Sequence, residues 1–218
     1  MSRLRLLAPA LAVLSLTGLS ALASADSVSY TATVPTASTN FSTLVNLPGF
    51  DPSFGTLTAV QLVLTATVLG DASFESLDAS PATVNVNLST NATATAPGAL
   101  TVTTIPLAST SVNVGAYDGV LDFGGISGRT FSDLTNTATN SSTTTTGLGS
   151  YIGVASVPIT VGAVGASTAS GPGNLASVFG TSAGAVVGVT YTYNAVPEPT
   201  VMAGLAVGSL ALLRRRRQ

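Results

Sequence analysis

Hydrophobic and polar residues alternate with period two along most of the chain's middle. Val28, Tyr30, Ala32 and Val34 point one way, while Ser29, Thr31 and Thr33 point the other. From Val60 to Val68 the even positions make one apolar face. Val84, Val86 and Leu88 alternate with Thr83, Asn85, Asn87 and Ser89, and Ala185, Val187, Val189, Tyr191 and Tyr193 share a face opposite Gly188, Thr190 and Thr192. Such alternation predicts strands with one face in a core and one in water. The abundance of Thr and Val suits that half-buried, pleated surface. Shorter strands are expected at Phe41–Leu47, Leu100–Ile105, Val112–Val114 and Tyr151–Val161, the last at an edge because Pro158 lacks a backbone donor.

Turn signals separate these runs: Pro48-Gly49, Asp51-Pro52, Gly70-Asp71, Pro97-Gly98 and Asp118-Gly119. Many short strands without helical periodicity predict an all-β domain, an antiparallel two-sheet β-sandwich of jelly-roll type. A β-helix is the alternative, but no fixed repeat period supports one. Two stretches read as long surface loops. Thr135–Ser150 is a low-complexity Thr/Asn/Ser run, and Gly162–Gly184 is rich in Gly, Ala and Ser. The triplets starting at Asn40, Asn87, Asn91 and Asn140 match the N-linked glycan sequon, a match that chance supplies readily in such a chain.

The two termini follow other rules. Arg3 and Arg5 precede an apolar run from Leu6 to Leu22, and Ala23-Ser24-Ala25 then offers small residues for signal peptidase. This predicts a signal peptide over residues 1–25, cleaved after Ala25 or after Ala23; an uncleaved membrane helix is the alternative. At the other end, Val196-Pro197-Glu198-Pro199-Thr200 precedes an apolar run from Val201 to Leu213, then Arg214, Arg215, Arg216 and Arg217. The prolines bar a helix from extending upstream. At roughly 1.5 Å per residue the apolar run reaches about 20 Å, short of a ~30 Å hydrocarbon core. The Arg cluster would hold the end on the cytoplasmic side. A short span with a basic stop predicts transient membrane anchoring by residues 196–218, with an ectodomain at 26–195 between the two tags.

Charge sharpens this division. Six of the seven basic residues lie in the terminal segments, and Asp26–Val196 carries eight carboxylates against Arg129 alone, a formal charge of −7. One cation cannot neutralise a row of phosphates, so nucleic acid is not an expected partner. The sequence has no Cys and no His. Disulfides are therefore impossible, zinc and copper sites lack their usual donors, and a Ser nucleophile would lack a His or Lys base. Glu75, Asp78, Asp118, Asp122 and Asp133 are available for acid–base work, but their spacing singles out no pair. The expectation is no catalytic residue and no cofactor.

Calcium is a more serious option, because oxygen ligands suit it. Asp118-Gly119-Val120-Leu121-Asp122 could offer two carboxylates, but the expected roles are simpler. Asp118 makes a turn with Gly119, and Asp122 caps or solvates a strand end. Asp71, Glu75 and Asp78 are expected in a solvated connection. Tyr30, Tyr191 and Tyr193 fall on apolar strand faces, where core packing outranks sugar stacking.

Pro197-Glu198-Pro199, the Gly/Ala/Leu span and the terminal Arg residues, in this order, resemble the PEP-CTERM sorting signal of Gram-negative and related bacteria. The resemblance implies processing by an exosortase, a membrane cysteine protease or transpeptidase, with Pro197, Glu198 and Pro199 as recognition residues; an ordinary tail anchor is the alternative. Leu47–Leu62, which includes Phe50-Asp51-Pro52-Ser53-Phe54-Gly55-Thr56-Leu57, and Tyr117–Gly128, which includes Asp118-Gly119-Val120-Leu121-Asp122-Phe123-Gly124-Gly125-Ile126-Ser127-Gly128, are similar to two stretches of the choice-of-anchor E domain. So is the closing strand Val189–Tyr193. That resemblance implies a bacterial surface domain and supplies no site residues. Together these readings predict a non-enzymatic protein of the cell surface or extracellular matrix, in the company of exopolysaccharide. A carbohydrate- or calcium-binding adhesin module is the alternative.

Overall fold

A computed structural model describes residues Ala25–Val196. The signal segment, Pro197-Glu198-Pro199, the apolar run and Arg214–Arg217 lie outside the described residues. Ten strands occupy the described part: β1 (Ala25–Ser38), β2 (Phe41–Leu47), β3 (Gly55–Ser76), β4 (Ala82–Ala96), β5 (Leu100–Thr104), β6 (Leu107–Val114), β7 (Gly128–Thr144), β8 (Val157–Gly165), β9 (Thr168–Ser170) and β10 (Leu175–Ala195).

All pairings are antiparallel, and four of them nest: β1 with β10, β2 with β8, β3 with β7, and β4 with β5. This is the pairing of one long ribbon folded back on itself. Rolling the ribbon up adds two contacts, β10 with β3 and β8 with β4. The result is two sheets, ordered β1-β10-β3-β7 and β2-β8-β4-β5. The domain is a jelly-roll sandwich. β6 and β9 are additions that pair the first half of β4.

The expected alternation sets the sheets' inner faces. Val60, Leu62, Leu64, Ala66 and Val68 of β3 are fully buried, as are Val187, Val189 and Tyr191 of β10. All but Val68, which packs with Leu88 and Ala108, meet Ala92, Ala94, Val102, Ile159 and Val161 from the opposite sheet in the main core. A smaller core around Phe74, Val84, Val86 and Val114 fills the far end. The sandwich is long because β3 runs for 22 residues, about 70 Å at roughly 3.3 Å per residue.

Several expectations need correction. Thr135–Ser150 is not a loop: residues through Thr144 belong to β7, paired with β3 from Val60↔Thr144 to Glu75↔Gly128. Its Thr side chains bond across the strands, Thr65 to Thr139 at 2.8 Å and Thr67 to Thr137 at 2.7 Å. Cross-strand hydroxyl pairs of this kind make low-complexity Thr an effective strand former. Most of Gly162–Gly184 is likewise strand, divided among β8, β9 and β10. Gly there serves close approach: a Cβ on Gly171 would strike the Thr83 carbonyl, and one on Gly184 the Thr36 hydroxyl. Gly70-Asp71 is no turn but a register shift within β3. β8 lies between β2 and β4 rather than at an edge. Pro158 is tolerated because the β4 pairing stops at Thr95↔Thr160, leaving only Asn46 of β2 opposite it.

Candidate functional site

The two ends of the described domain leave from one place. Ala25, the candidate cleavage residue, opens β1 and pairs with Asn194 near the end of β10. Cleavage after Ala25 would remove one residue of the strand and leave the pairs from Asp26↔Tyr193 inward. The Val196 amide, one residue before Pro197, donates to the Phe54 carbonyl at 3.3 Å. Among the described residues no helix is long and apolar enough to cross a membrane.

This end is sealed by aromatic rings. Phe50 is buried and lies 5.8 Å from Tyr191 and 5.3 Å from Tyr193, ring centre to ring centre. Phe54 stacks on Tyr193 at 5.9 Å, and Tyr151 meets Tyr191 edge-on at 6.3 Å. Asp51 starts a short turn of helix at Pro52–Phe54 by accepting a hydrogen bond from the Ser53 amide at 2.8 Å. That bond holds the Asp51 carboxyl below the usual carboxylate range. Gly55 then turns the chain into β3 at φ 145. The Phe50–Leu57 segment thus has a structural job: it latches the β10 end.

The sequence placed Tyr30, Tyr191 and Tyr193 in the core, and all three pack there, with Tyr191 fully buried. Its hydroxyl donates to the Pro48 carbonyl at 2.9 Å, and that of Tyr151 to the Pro97 carbonyl at 2.6 Å. Burial pushes the Tyr191 phenol well above its ordinary value, with Tyr151 and Tyr30 adding to the shift, and burial also raises Tyr151. The unfolded chain ionises such phenols near pH 10 while the folded chain keeps them neutral. Stability from these residues is therefore complete below about pH 10 and falls as pH rises further. Denaturant unfolding at about pH 8 and about pH 11 should show this decline, with a shallower fall in Tyr191→Phe. An equal slope in that variant would contradict it.

The second set of candidates sits at the opposite end. Asp118 Oδ1 accepts from the Val120 amide at 3.0 Å, and Asp122 Oδ1 from the Gly124 amide at 2.9 Å. These are the expected local turns. Gly119 and Gly125 take positive φ, 95 and 62. Asp78 accepts from the Gly173 and Asn174 amides at 2.8 and 3.0 Å, tying the β3–β4 connection to the start of β10. Asp71 is exposed and accepts from the Asp133 amide at 3.1 Å.

Glu75 corrects the sequence reading. It was expected in a solvated connection with Asp71 and Asp78, yet it lies within β3 and is fully buried. Neither carboxylate oxygen has a hydrogen-bond partner. Sequence reasoning missed it because an acidic residue at a strand end ordinarily faces water. The alternation of β3 gave no signal for it: Ala72 and Phe74 occupy the inner face, and Glu75 falls on the other, where the β6–β7 connection covers it.

The four sequon residues differ in how they are used. Asn140 Nδ2 donates to the Thr103 carbonyl at 2.8 Å, joining β7 to β5 across the open side of the sandwich. Asn87 accepts from Ser109 at 2.8 Å and Asn40 from the Gly165 amide at 3.3 Å. Asn91 is exposed on β4.

No protein-family model matches the chain, and no curated protein matches it. Solved structures of infectious bursal disease virus align with it weakly. For the Gx strain the identity is 10%, covering 89% of this chain and 48% of that chain, with a TM-score of 0.16. For the T13 viral particle the identity is 14%, covering 87% and 47%, with a TM-score of 0.17. The chain spans about half the length of these viral chains. TM-scores this low carry no argument about fold or function.

Proposed function

We propose that this chain is a non-enzymatic protein of the cell surface or extracellular matrix. It is exported by its N-terminal signal, cut by signal peptidase at Ala25, and sorted through its tail by an exosortase. Pro197, Glu198 and Pro199 are the recognition residues, the apolar run holds the membrane transiently, and Arg214–Arg217 stop transfer at the cytoplasmic face. The surroundings are exopolysaccharide or biofilm matrix, and no metal or organic cofactor is required for sorting.

The observation that carries the reading is the order of the three tail parts: proline–acid–proline, short apolar run, basic stop. The domain's geometry is compatible with it. Ala25 and Asn194 are paired, so the described domain begins and ends at the same place. Asp118, Asp122 and Asp78 each accept a hydrogen bond from a backbone amide.

Replacing Pro197-Glu198-Pro199 with alanines in the native host should abolish tail processing, so that full-length protein accumulates in the membrane fraction. Immunoblotting of cell fractions reads this directly. Unchanged processing would sink the sorting proposal.

A further inference from the structure

The carboxylate of Glu75 is the least explained group in the domain. Both oxygens are buried and without a hydrogen-bond partner. Oε2 is pressed against Gly128, at the point where a side chain there would also meet the backbone of Gly124. Glu75 is therefore aimed into the loop between β6 and β7. That loop brings two more carboxylates to the same short segment. Asp118 Oδ2 lies against Gly125, and Asp122 Oδ1 holds the Gly124 amide at 2.9 Å. Arg129, the one cation among the described residues, is exposed. An ionised carboxylate left in this setting with neither a donor nor a counter-ion is unfavourable.

We propose that Glu75 and the Asp118–Gly128 loop form a calcium site. The donor set is all oxygen, which suits a hard cation taking six to eight oxygen ligands. Glu75 is the fixed ligand. Asp118 contributes Oδ2, the oxygen not engaged by the Val120 amide. Loop carbonyls around Gly124 complete the shell. Glycine at 125 and 128 follows from this crowding, since a Cβ on either would collide with a carboxylate oxygen. Among the described residues no three acidic side chains already stand close enough to hold a metal. Two carboxylates at most therefore reach the ion, and carbonyl and water oxygens supply the rest of the shell. Calcium is favoured over magnesium because it tolerates the irregular coordination of carboxylate and loop carbonyl oxygens, whereas magnesium demands a near-ideal octahedron and retains its water.

This inference is independent of the sorting tail. It is tested on the full chain in detergent, titrated calorimetrically with calcium chloride and with magnesium chloride and followed by thermal melting. Calcium should bind saturably with a Kd of roughly 0.1–1 mM, as in extracellular modules. At ten times that concentration the melting temperature should rise by about 3–6 °C. Glu75→Gln should remove the response while Asp26→Asn, at the other end of the domain, leaves it intact. If Glu75→Gln fails to fold, Asp118→Asn must weaken calcium binding by about tenfold. No saturable binding to the native protein, an equal response to magnesium, or full binding in either loop-site variant would overturn the assignment.

Discussion

Phe50→Ala should lower the unfolding free energy by about 3–5 kcal/mol, the usual cost of emptying a buried aromatic site. Phe50 is 1% exposed and touches Phe54, Tyr191 and Tyr193. Its backbone is held separately: the amide donates to the Tyr151 carbonyl at 2.7 Å, and its own carbonyl accepts from Gly153 at 2.9 Å. The backbone bonds thus keep the segment in place while the ring's volume is lost, and the surroundings cannot collapse to refill it. The melting temperature should fall by roughly 10 °C for a domain of this size. Phe54→Ala is the control. That ring is 42% exposed, and its loss should cost only about 1 kcal/mol. Chemical denaturation of both variants measures the difference, and equal losses would contradict the sealing role of Phe50.

Gly55→Ala should cost about 3 kcal/mol, far more than a glycine-to-alanine change in open space. Gly55 has φ 145, and a Cβ there would run into the Asn194 carbonyl, itself part of the β10 pairing. Neither partner can yield without breaking the closing end of the sheet. Gly98→Ala separates backbone preference from this collision. Gly98 also has positive φ, 71, but nothing lies within 4 Å of the added carbon. Its cost should be about 1 kcal/mol, the ordinary penalty for an L-residue in the left-handed region. Similar losses at both positions would remove the steric explanation.

The inner faces of the sandwich were legible in the sequence because burial on one side imposes period two. Val60, Leu62, Leu64, Ala66 and Val68 were identified from alternation alone and are fully buried. β2 has the bounds expected for it, Phe41–Leu47, because Asn40 at φ 67 and Pro48 punctuate it on both sides. β7 was illegible for the opposite reason. Ser141, Thr139, Thr137 and Thr135 are exposed, and Ala138 is the one apolar residue among the positions between them, so the strand carries almost no apolar signal. What fixes it is its partner: hydroxyl pairs with β3 and pairing from Val60 to Glu75 of that strand, shifted once at Gly70. The Gly-rich stretch before β10 failed similarly, since Gly reads as a breaker until the close backbone contacts it permits are known.

The candidate site residues divide along the same line. Asp118-Gly119 and Asp51-Pro52 act locally, and local chemistry is what a sequence states most clearly. Glu75 lies against the end of a loop some fifty residues away in sequence. No spacing rule reveals that. The export and sorting readings rest on the opposite kind of evidence, short linear motifs whose meaning lies in order and composition.

Export and sorting make a single demand on the mature molecule, and intact-mass analysis of the protein isolated from its native host measures it. The mass should correspond to a chain that begins at Asp26 and ends near Pro197-Glu198-Pro199, without the apolar run and Arg214–Arg217. A mature chain that retains both the residues before Ala23 and the terminal Arg cluster would contradict the proposed export and sorting.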